Sequence, residues 1–329
     1  MAGSPKVSRR AVAVAAILLA AIIWSTSFAL TKITLAQLPP MTIGALRFVV
    51  AALILGVVVR ARGDFAPPTV RQRITIAAAG LLGITLYFAL ENVGVQWASA
   101  SDATLIVAAY PVIALALELA LRRASFSVIR LAGMVIAIAG VALIVRNGSQ
   151  QAGTHRLLGD LVLVAGGLVW AAYNLATQRD RSGASALVVT YYQTIAGAGG
   201  FVLLSLFEVR HWALPSGGNL LRLGYLAVLC SVVAFALYNF GLERVPSSVA
   251  VNLLNIVPVA GLVWAVVLAG ESVGPLQLVG GAIVIIGVAI GLKKQPRTQQ
   301  LEGDLADGES SGRQVRDRGQ RATTGRTRG

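Results

Sequence analysis

Aromatic and hydrogen-bonding side chains recur at helical spacing inside two long apolar segments of the chain. The first set consists of Trp24, Ser27, Phe28 and Thr31, and the second of Trp170, Tyr173, Asn174 and Thr177. Spacing of three, four and seven positions puts each set on one face of a helix. Rings and a few hydrogen-bonding groups together bind small organic solutes, so the two faces are candidate binding surfaces.

Two further apolar segments carry polar pairs that lie close together on a helix. Tyr87 and Glu91 are one turn apart, as are Asn252 and Asn255. Because hydrocarbon contains no water, polar groups on facing helices indicate a cavity lined by protein. For each residue the alternative is packing, or a hydrogen bond between helices worth ~0.6 kcal/mol. The predicted binding residues are Trp24, Phe28, Tyr87, Trp170, Tyr173, Asn174, Asn252 and Asn255.

Pro111 and Pro258 each lie near the middle of an apolar segment. Proline removes a backbone hydrogen bond and clashes with the carbonyl four residues earlier, so a helix bends there. Asn92 and Asn239 precede these prolines at equal distances. We predict that the four residues take part in gating, and a structural kink without ligand contact is the alternative.

Few charged residues lie inside the apolar segments. Arg47 should face the protein interior, because a charge at membrane depth costs ~2.5–3.5 kcal/mol, and its predicted acceptor is Glu91 or Asp102. Glu118 lies one turn before Arg122 and is predicted to pair with it or to reach the cytoplasmic surface. No acidic residue occupies the middle of a segment, so the sequence indicates no proton relay.

Residue types typical of enzymes and metal sites do not cluster. Cys230 is the single cysteine, and the two histidines, His155 and His211, are far apart in sequence. Phosphate-binding glycine loops, paired catalytic carboxylates and nucleophile–His–acid arrangements are absent from suitable positions. We therefore predict no enzymatic activity, no cofactor and no metal site.

The elements that hold these side chains are predicted to be membrane-spanning helices. Of the 329 residues, 56% are hydrophobic and 13% charged, and the mean hydropathy of +0.74 excludes an ordinary soluble domain. A helix needs roughly 20 apolar residues to cross a bilayer. Ten spans are predicted near 11–30, 41–59, 74–91, 104–121, 128–145, 157–176, 186–207, 222–242, 248–269 and 275–292.

The net charge of +14 is distributed unevenly along the chain. Basic residues concentrate before the first predicted span, in every second connection and after the last span. By the positive-inside rule both termini are cytoplasmic, and we expect no nucleic-acid partner. A removable signal peptide is an alternative for residues 1–30, but that apolar run is too long for one.

The chain repeats itself at a shift of 147 positions. Phe88, Asn92, Gly94, Ser101, Ala103 and Pro111 fall on Phe235, Asn239, Gly241, Ser248, Ala250 and Pro258. Each copy contains five predicted spans, an odd number, so the second copy must enter the membrane inverted. We predict an all-α polytopic membrane protein of ten helices in two inverted five-helix repeats. The predicted segments are a cytoplasmic N-terminus (1–10), the first repeat (11–146), an external connection (147–156), the second repeat (157–292) and a disordered basic cytoplasmic tail (293–329) that can touch membrane lipid.

Glycines line one face of the fifth and the tenth predicted spans. Gly133 and Gly140 lie in the fifth, and Gly280, Gly287 and Gly291 lie in the tenth. Such faces allow close contact between helices. Packing within one chain and a homodimer formed through these two helices are the two interpretations.

With these features the chain resembles the EamA family of the drug/metabolite transporter superfamily. The resemblance covers residues 11–292, and it departs at Arg122-Arg123-Ala124, where many relatives carry an acidic residue that matches Glu271. It implies ten helices in two inverted repeats, a central cavity, and export or exchange of small metabolites. The residues that carry it are Ala20-Ala21-Ile22-Ile23-Trp24, Phe28, Lys32, Leu38-Pro39-Pro40, Arg47-Phe48, the Ala-Leu-x-Asn-x-Gly stretches before Pro111 and Pro258, Gly270-Glu271 and Gly287-Val288.

The sequence and this resemblance lead us to expect a secondary transporter in a bacterial inner membrane. It would move a small amino-acid-like or drug-like solute by alternating access, as an exporter. One alternative is a lipid-linked or phosphorylated substrate, which needs a cationic cavity that only Arg47 could supply. The other is a non-transporting receptor or scaffold, which would need a folded module that the short connections do not offer.

Overall fold

The computed structural model describes residues 9–63, 68–121, 127–147, 155–177, 185–242, 244–245, 253–254 and 256–291, without the side chains of residues 186, 239 and 242. The predicted tail, Asn252, Asn255 and most of the 147–156 connection lie outside these ranges. Within them the chain is helical and contains no strand. The helices are α1 (Arg9–Ser25), α2 (Ser27–Leu35), α3 (Pro40–Ala61), α4 (Val70–Gly80), α5 (Tyr87–Trp97), α6 (Ala100–Val107), α7 (Tyr110–Ala120), α8 (Val128–Asn147), α9 (Arg156–Thr177), α10 (Ala186–Ser205), α11 (Gly217–Tyr225), α12 (Ala234–Leu242), α13 (Ile256–Val267) and α14 (Pro275–Gly291).

Seven helices or continuous helical runs of the described chain are long and apolar enough to cross a membrane. They are Arg9–Leu35, Pro40–Ala61, Val70–Trp97, Val128–Asn147, Arg156–Thr177, Leu187–His211 and Gly217–Tyr238. The pair α6 and α7, bent by 43°, makes an eighth if it is one span, while α13 and α14 are apolar but shorter. The all-helical fold with several apolar spans is confirmed. Seven predicted spans coincide with candidate spans, and the other three fall on the bent pair, α13 and α14.

Local sequence explains where several helices begin and end. Thr69 and Gln72 form a reciprocal capping box at the start of α4, and the Ser99 hydroxyl accepts from the backbone N–H of Asp102 at the start of α6. Pro40 lies in the first turn of α3, where its missing N–H costs nothing. Gly270, with φ of 67°, follows α13 in a left-handed conformation that other residues rarely adopt.

The break between α1 and α2 falls at three consecutive hydroxyl residues. Ser25, Thr26 and Ser27 each donate from the side chain to a backbone carbonyl three residues earlier. Such bonds compete with the helical ladder and bend helices. The break comes directly after Trp24, so it helps to set the direction of that side chain.

Two π-helical segments interrupt the bundle at repeat-related places. One, Leu81–Leu86, joins α4 to α5, and the other, Leu226–Val233, joins α11 to α12. The shift of 147 places residues 81–86 on 228–233, inside the second segment. A π turn widens the helix and breaks the regular hydrogen-bond ladder, and such turns are frequent at functional sites.

The prolines mark a bend and a helix start. Pro111 is the second residue of α7, directly after the 43° bend from α6, so the predicted bend is confirmed. Pro258 is buried at the third residue of α13. A role of either proline in gating stays a prediction.

The glycine faces of α8 and α14 pack against each other within one chain. A Cβ added at Gly140 would lie 2.7 Å from Val284 N, and one added at Gly280 would lie 3.0 Å from Gly140 O. Since the backbones approach so closely, these glycines are used by packing inside the chain. A homodimer would have to use other faces of the two helices.

Candidate functional site

Three of the predicted binding residues form one aromatic wall between α5 and α9. The Tyr87 ring lies 4.9 Å from the Trp170 ring, measured between centroids, and Trp170 lies 5.3 Å from Tyr173. Phe28, 6% exposed, is buried in the same hydrophobic core as Tyr87. Because α5 belongs to the first repeat and α9 to the second, the wall lies between the repeats.

Trp24 lies in a separate cluster. Its indole N–H donates to the carbonyl of Cys230 at 2.9 Å, and its ring lies 5.1 Å from Phe235 and 5.4 Å from Tyr238. The matching positions of Trp24 and Trp170 therefore do not bring their rings into one wall. Each tryptophan instead contacts the other repeat, Trp24 through the π segment and Trp170 through Tyr87.

The two π segments are contacted by equivalent helices of the opposite repeat. In the first, Thr85 donates to Gly197 O of α10 at 3.0 Å, and Gly83 lies directly against the Tyr173 ring of α9. In the second, Cys230 O accepts from Trp24 of α1, and the adjacent Ser231 is contacted by α3. The wide turns thus supply acceptors and space at the interface of the two repeats.

Arg47 of α3 is a buried cation at this interface, only 4% exposed. Its Nε donates to Ser231 Oγ at 2.8 Å, and its Cζ lies 4.7 Å from the Phe88 ring centroid and 5.0 Å from that of Phe48. The predicted acceptors, Glu91 and Asp102, were wrong, because the hydroxyl of Ser231 accepts instead. Among the described residues the guanidinium makes no other hydrogen bond.

Glu91 of α5 is a buried carboxyl group beside the same aromatic wall, also 4% exposed. The Tyr87 hydroxyl donates to its Oε2 at 2.5 Å. Arg47 and Glu91 attract each other electrostatically, but the ion pairs within 4.0 Å in the described part of the chain are those of Arg156. The two side chains therefore lie near the same aromatic rings without forming a direct ion pair.

The predicted asparagines have different surroundings. Asn174 is half-buried on α9, next to Tyr173, and its side-chain amide has no hydrogen-bond partner among the described residues. Asn92 is buried and donates to Pro40 O at 2.9 Å, which ties α5 to the start of α3. The side chain of Asn239 and all of Asn252 and Asn255 are outside the described residues.

Sequence reasoning missed two hydrogen-bonding residues of the site, Gln193 and Trp264. The Tyr173 hydroxyl donates to Gln193 Oε1 of α10 at 3.0 Å within the second repeat, and Trp264 of α13 donates across the repeats to Ser25 Oγ at 3.1 Å. Gln193 is only 7% exposed, and a buried polar residue in an apolar segment was the available signal.

One end of the bundle, which we call the Glu271 end, is where α2 and α5 end and α3 and α6 begin. The Glu271 carboxylate accepts from the backbone N–H groups of Ala100 and Ser101 at 2.7 and 2.8 Å. The Lys32 ammonium donates to three carbonyls that end α5, those of Val95, Gln96 and Ala98. Opposite charges at helix ends are favourable, and the Glu271 contact ties the second repeat to the first at this end.

A second carboxylate cap joins the repeats at the same end. Glu208, after α10, accepts from the backbone N–H groups of Met41 and Thr42 at 3.1 and 2.8 Å. Both caps reach from the second repeat to the first turn of a helix in the first repeat. Neither was predicted, because both depend on pairs of residues more than 160 positions apart.

A separate apolar cavity of about 130 Å³ lies between α6, α7, α8 and α9. Its walls include Ile106, Val112, Ala137 and Val164, and it has no polar lining. None of the predicted binding residues lines it. The described residues also contain no group of three or more His, Cys, Asp or Glu side chains that could hold a metal ion.

Comparison with known proteins gives one family. Residues 11–146 and 157–292 each match the EamA-like transporter family. An uncharacterized transporter of Archaeoglobus fulgidus is 26% identical over 83% of this chain and 95% of its own. A probable terminal-alkyne amino-acid exporter of Streptantibioticus cattleyicolor is 28% identical over 84% of this chain and 92% of its own. A solved crystal structure of a protein shares the fold, with a TM-score of 0.61 at 19% identity over 85% of this chain and 96% of the other.

Proposed function

Because the chain belongs to the EamA-like transporter family, in the drug/metabolite transporter superfamily, we propose that it is a secondary transporter that exports an amino-acid-like zwitterion by alternating access. The observation that carries this substrate class is the buried pair Arg47 and Glu91. Each has one side-chain partner, Ser231 or Tyr87, and the two are not joined by an ion pair.

Two buried charges of opposite sign are costly unless they are paired. A solute with a carboxylate and an ammonium group complements them, with the carboxylate on the Arg47 guanidinium and the ammonium on Glu91. The guanidinium fork is suited to a carboxylate, since it can donate two parallel hydrogen bonds. The zwitterion would then supply a counter-charge to each of the two groups.

The remainder of the solute would lie along the aromatic wall. Tyr87 and Trp170 offer ring faces between the repeats, and Tyr173 and Asn174 continue the same surface on α9. Small-ligand sites commonly combine such walls with a few polar anchors. The relative from Streptantibioticus cattleyicolor, whose name gives an amino acid as its cargo, supports the same substrate class.

The membrane topology that we propose is ten spans in two inverted five-helix repeats, with α13 and α14 as the ninth and tenth. The exchange of contacts between equivalent helices and opposite π segments supports a twofold relation of this kind. The basic connections support cytoplasmic termini in a bacterial inner membrane, which would make the Glu271 end external. Alternating access would then require the carboxylate caps of Glu208 and Glu271 to break.

A phosphorylated or lipid-linked substrate is less well supported, because Glu91 would repel a phosphate bound at Arg47. A receptor or scaffold role and enzymatic activity have no supporting group among the described residues, so the proposal is for transport alone.

Counterflow in proteoliposomes tests the proposal. Vesicles preloaded with each of the twenty protein amino acids, or with propargylglycine, would be diluted into labelled solute of the same kind. We expect exchange for at least one amino acid with an apolar side chain, and weaker exchange for its amide and its deaminated analogue. No exchange with any of them, or exchange of phosphoenolpyruvate or a sugar phosphate instead, would contradict the substrate class.

A further inference from the structure

A buried charge cluster at the Glu271 end takes no part in the proposed solute site. Asp102 lies in the first turn of α6 and Asp160 in the second turn of α9, and both are 0% exposed. Arg156 lies between them, with Nε 3.2 Å from Asp102 Oδ2 and Nη2 3.3 Å from Asp160 Oδ2. One guanidinium therefore serves two carboxylates.

The two carboxylates are not equally satisfied. Asp102 accepts from Arg156 Nε and, at 2.8 Å, from Gln277 Nε2 of α14. Neither oxygen of Asp160 accepts a hydrogen bond from a residue that the structure describes, although both are buried. Arg156 Nη2 donates to the carbonyls of Ile144 and Val145 at 3.0 and 2.6 Å. The guanidinium is thus shared with backbone groups, and Asp160 lacks a donor.

The charges that surround the cluster do not balance. Lys32 of α2 donates to the carbonyl of Ala98, and Glu271 accepts from the N–H of Ala100, so both charged groups lie beside the start of α6, as Asp102 does. Counting Arg156 and Lys32 against Asp102, Asp160 and Glu271 gives two positive and three negative charges. Of the other titratable groups, Tyr110 of α7 donates to Leu163 O, and the His155 ring lies 6.2 Å from Trp97. One negative charge in excess remains in a buried site, where it is strongly unfavourable.

We propose that Asp160 binds one proton when the Glu271 end is closed, and that this is the coupling proton of transport. The inference rests on the proposed function. A proton on Asp160 leaves a single Asp102–Arg156 ion pair and removes the repulsion between two carboxylates. A metal cation does not suit the site, because the Arg156 guanidinium lies within 3.3 Å of both carboxylates.

The position of the cluster supplies a physical link to transport. Asp102 belongs to the first repeat, whereas Asp160 and Gln277 belong to the second, and Arg156 is the residue directly before the second repeat and the first residue of α9. Opening the Glu271 end separates these helices and admits water to both carboxylates, so the proton leaves as the end opens. Proton binding and closure therefore favour each other, as linkage requires.

Infrared difference spectroscopy on the purified full chain in lipid nanodiscs tests proton binding without any substrate. We expect a protonated-carboxyl band at neutral pH that is lost in Asp160→Asn. It should be lost in Asp102→Asn as well, because Arg156 then neutralises Asp160. Glu118→Gln, a half-buried carboxylate change on α7, is the matched control and should keep the band. A band that survives both Asp changes, or that sodium chloride abolishes in the wild type, would overturn the proposal.

Transport assays then separate the two proposals. In Asp160→Asn, net flux driven by a pH gradient should fall to its value without a gradient, while counterflow persists. If the variant keeps gradient-driven flux, the coupling role is wrong. If wild-type protein shows no counterflow, the proposed function is wrong, and the infrared result still decides proton binding.

Discussion

The two π segments occupy equivalent places in the repeats, yet their partners differ in chemistry. The first segment, Leu81–Leu86, meets a glycine carbonyl and the Tyr173 ring, whereas the second, Leu226–Val233, meets the Trp24 indole and the Arg47 guanidinium. The position 147 residues after Arg47 is Thr194, whose hydroxyl donates to Thr190 O in its own helix. Duplication has kept the wide turns and has placed the charge on one side only.

In the proposed inverted arrangement, this difference would make the binding site directional. Under the proposed mechanism, the shared backbone geometry would serve the motion of both repeats. The ligand chemistry is unequal, since one zwitterion needs one cation and one anion. Changes at paired positions should therefore have unequal effects, and this inequality can be measured.

The largest expected effect is that of Arg47→Gln. Losing one member of a buried charge arrangement costs about 2–5 kcal/mol, so the affinity for the transported amino acid should fall roughly 30-fold or more. Thr194→Val, at the equivalent position, should leave affinity close to wild type. Binding isotherms on both variants measure this. Equal losses would show that Arg47 has no special role in binding.

Glu91→Gln should have a somewhat smaller effect. A hydrogen bond to a charged group contributes about 1.5–3 kcal/mol, which corresponds to roughly 10- to 150-fold in affinity. The deaminated analogue, which has no ammonium group, should bind the variant as well as it binds the wild type. Competition binding with the amino acid and its analogue tests this, with Glu118→Gln as the control. A parallel loss for both ligands would instead indicate structural damage.

Gly83→Ala should lower stability. The position 147 residues later is Cys230, which is fully buried with its side chain in place, whereas Gly83 lies against the Tyr173 ring. Overpacking of this kind costs about 1–3 kcal/mol. Thermal unfolding in detergent measures the change. Gly199→Ala, which meets nothing within 4 Å, is the control and should not be destabilised. An unchanged unfolding temperature for Gly83→Ala would mean that α9, which carries Tyr173, moves to make room for the methyl group without loss of stability.

The smallest expected effect separates the two tryptophans. Trp24→Phe removes the hydrogen bond to Cys230 O and should lower stability by about 0.6 kcal/mol beyond the lost ring area. The indole N–H of Trp170 has no hydrogen bond among the described residues. Trp170→Phe should therefore lower stability only through the lost ring area. Unfolding temperatures of the two variants, compared directly, give the difference. A larger stability loss for Trp170→Phe would show that the Trp24 hydrogen bond does not contribute as expected.

Hydropathy and the position of Pro111 predicted the apolar helices and the bend before Pro111. They did not predict the π segments, because one extra residue in a turn leaves no trace in composition. Arg47 was correctly predicted to be buried, but its acceptor was sought among opposite charges and proved to be the hydroxyl of Ser231. Asp160 was not considered, because its importance comes from sharing Arg156 with Asp102, 58 positions earlier in the chain.

The Glu271 cap has an evolutionary consequence. Two of its donors are main-chain N–H groups, of Ala100 and Ser101, and every residue type except proline supplies such a donor. Substitutions on the α6 side can therefore accumulate without breaking these two bonds, whereas a single change at Glu271 removes both at once. The contact is therefore sensitive to mutation mainly at Glu271. Selection for a stronger or weaker contact would have to act on that residue rather than on α6.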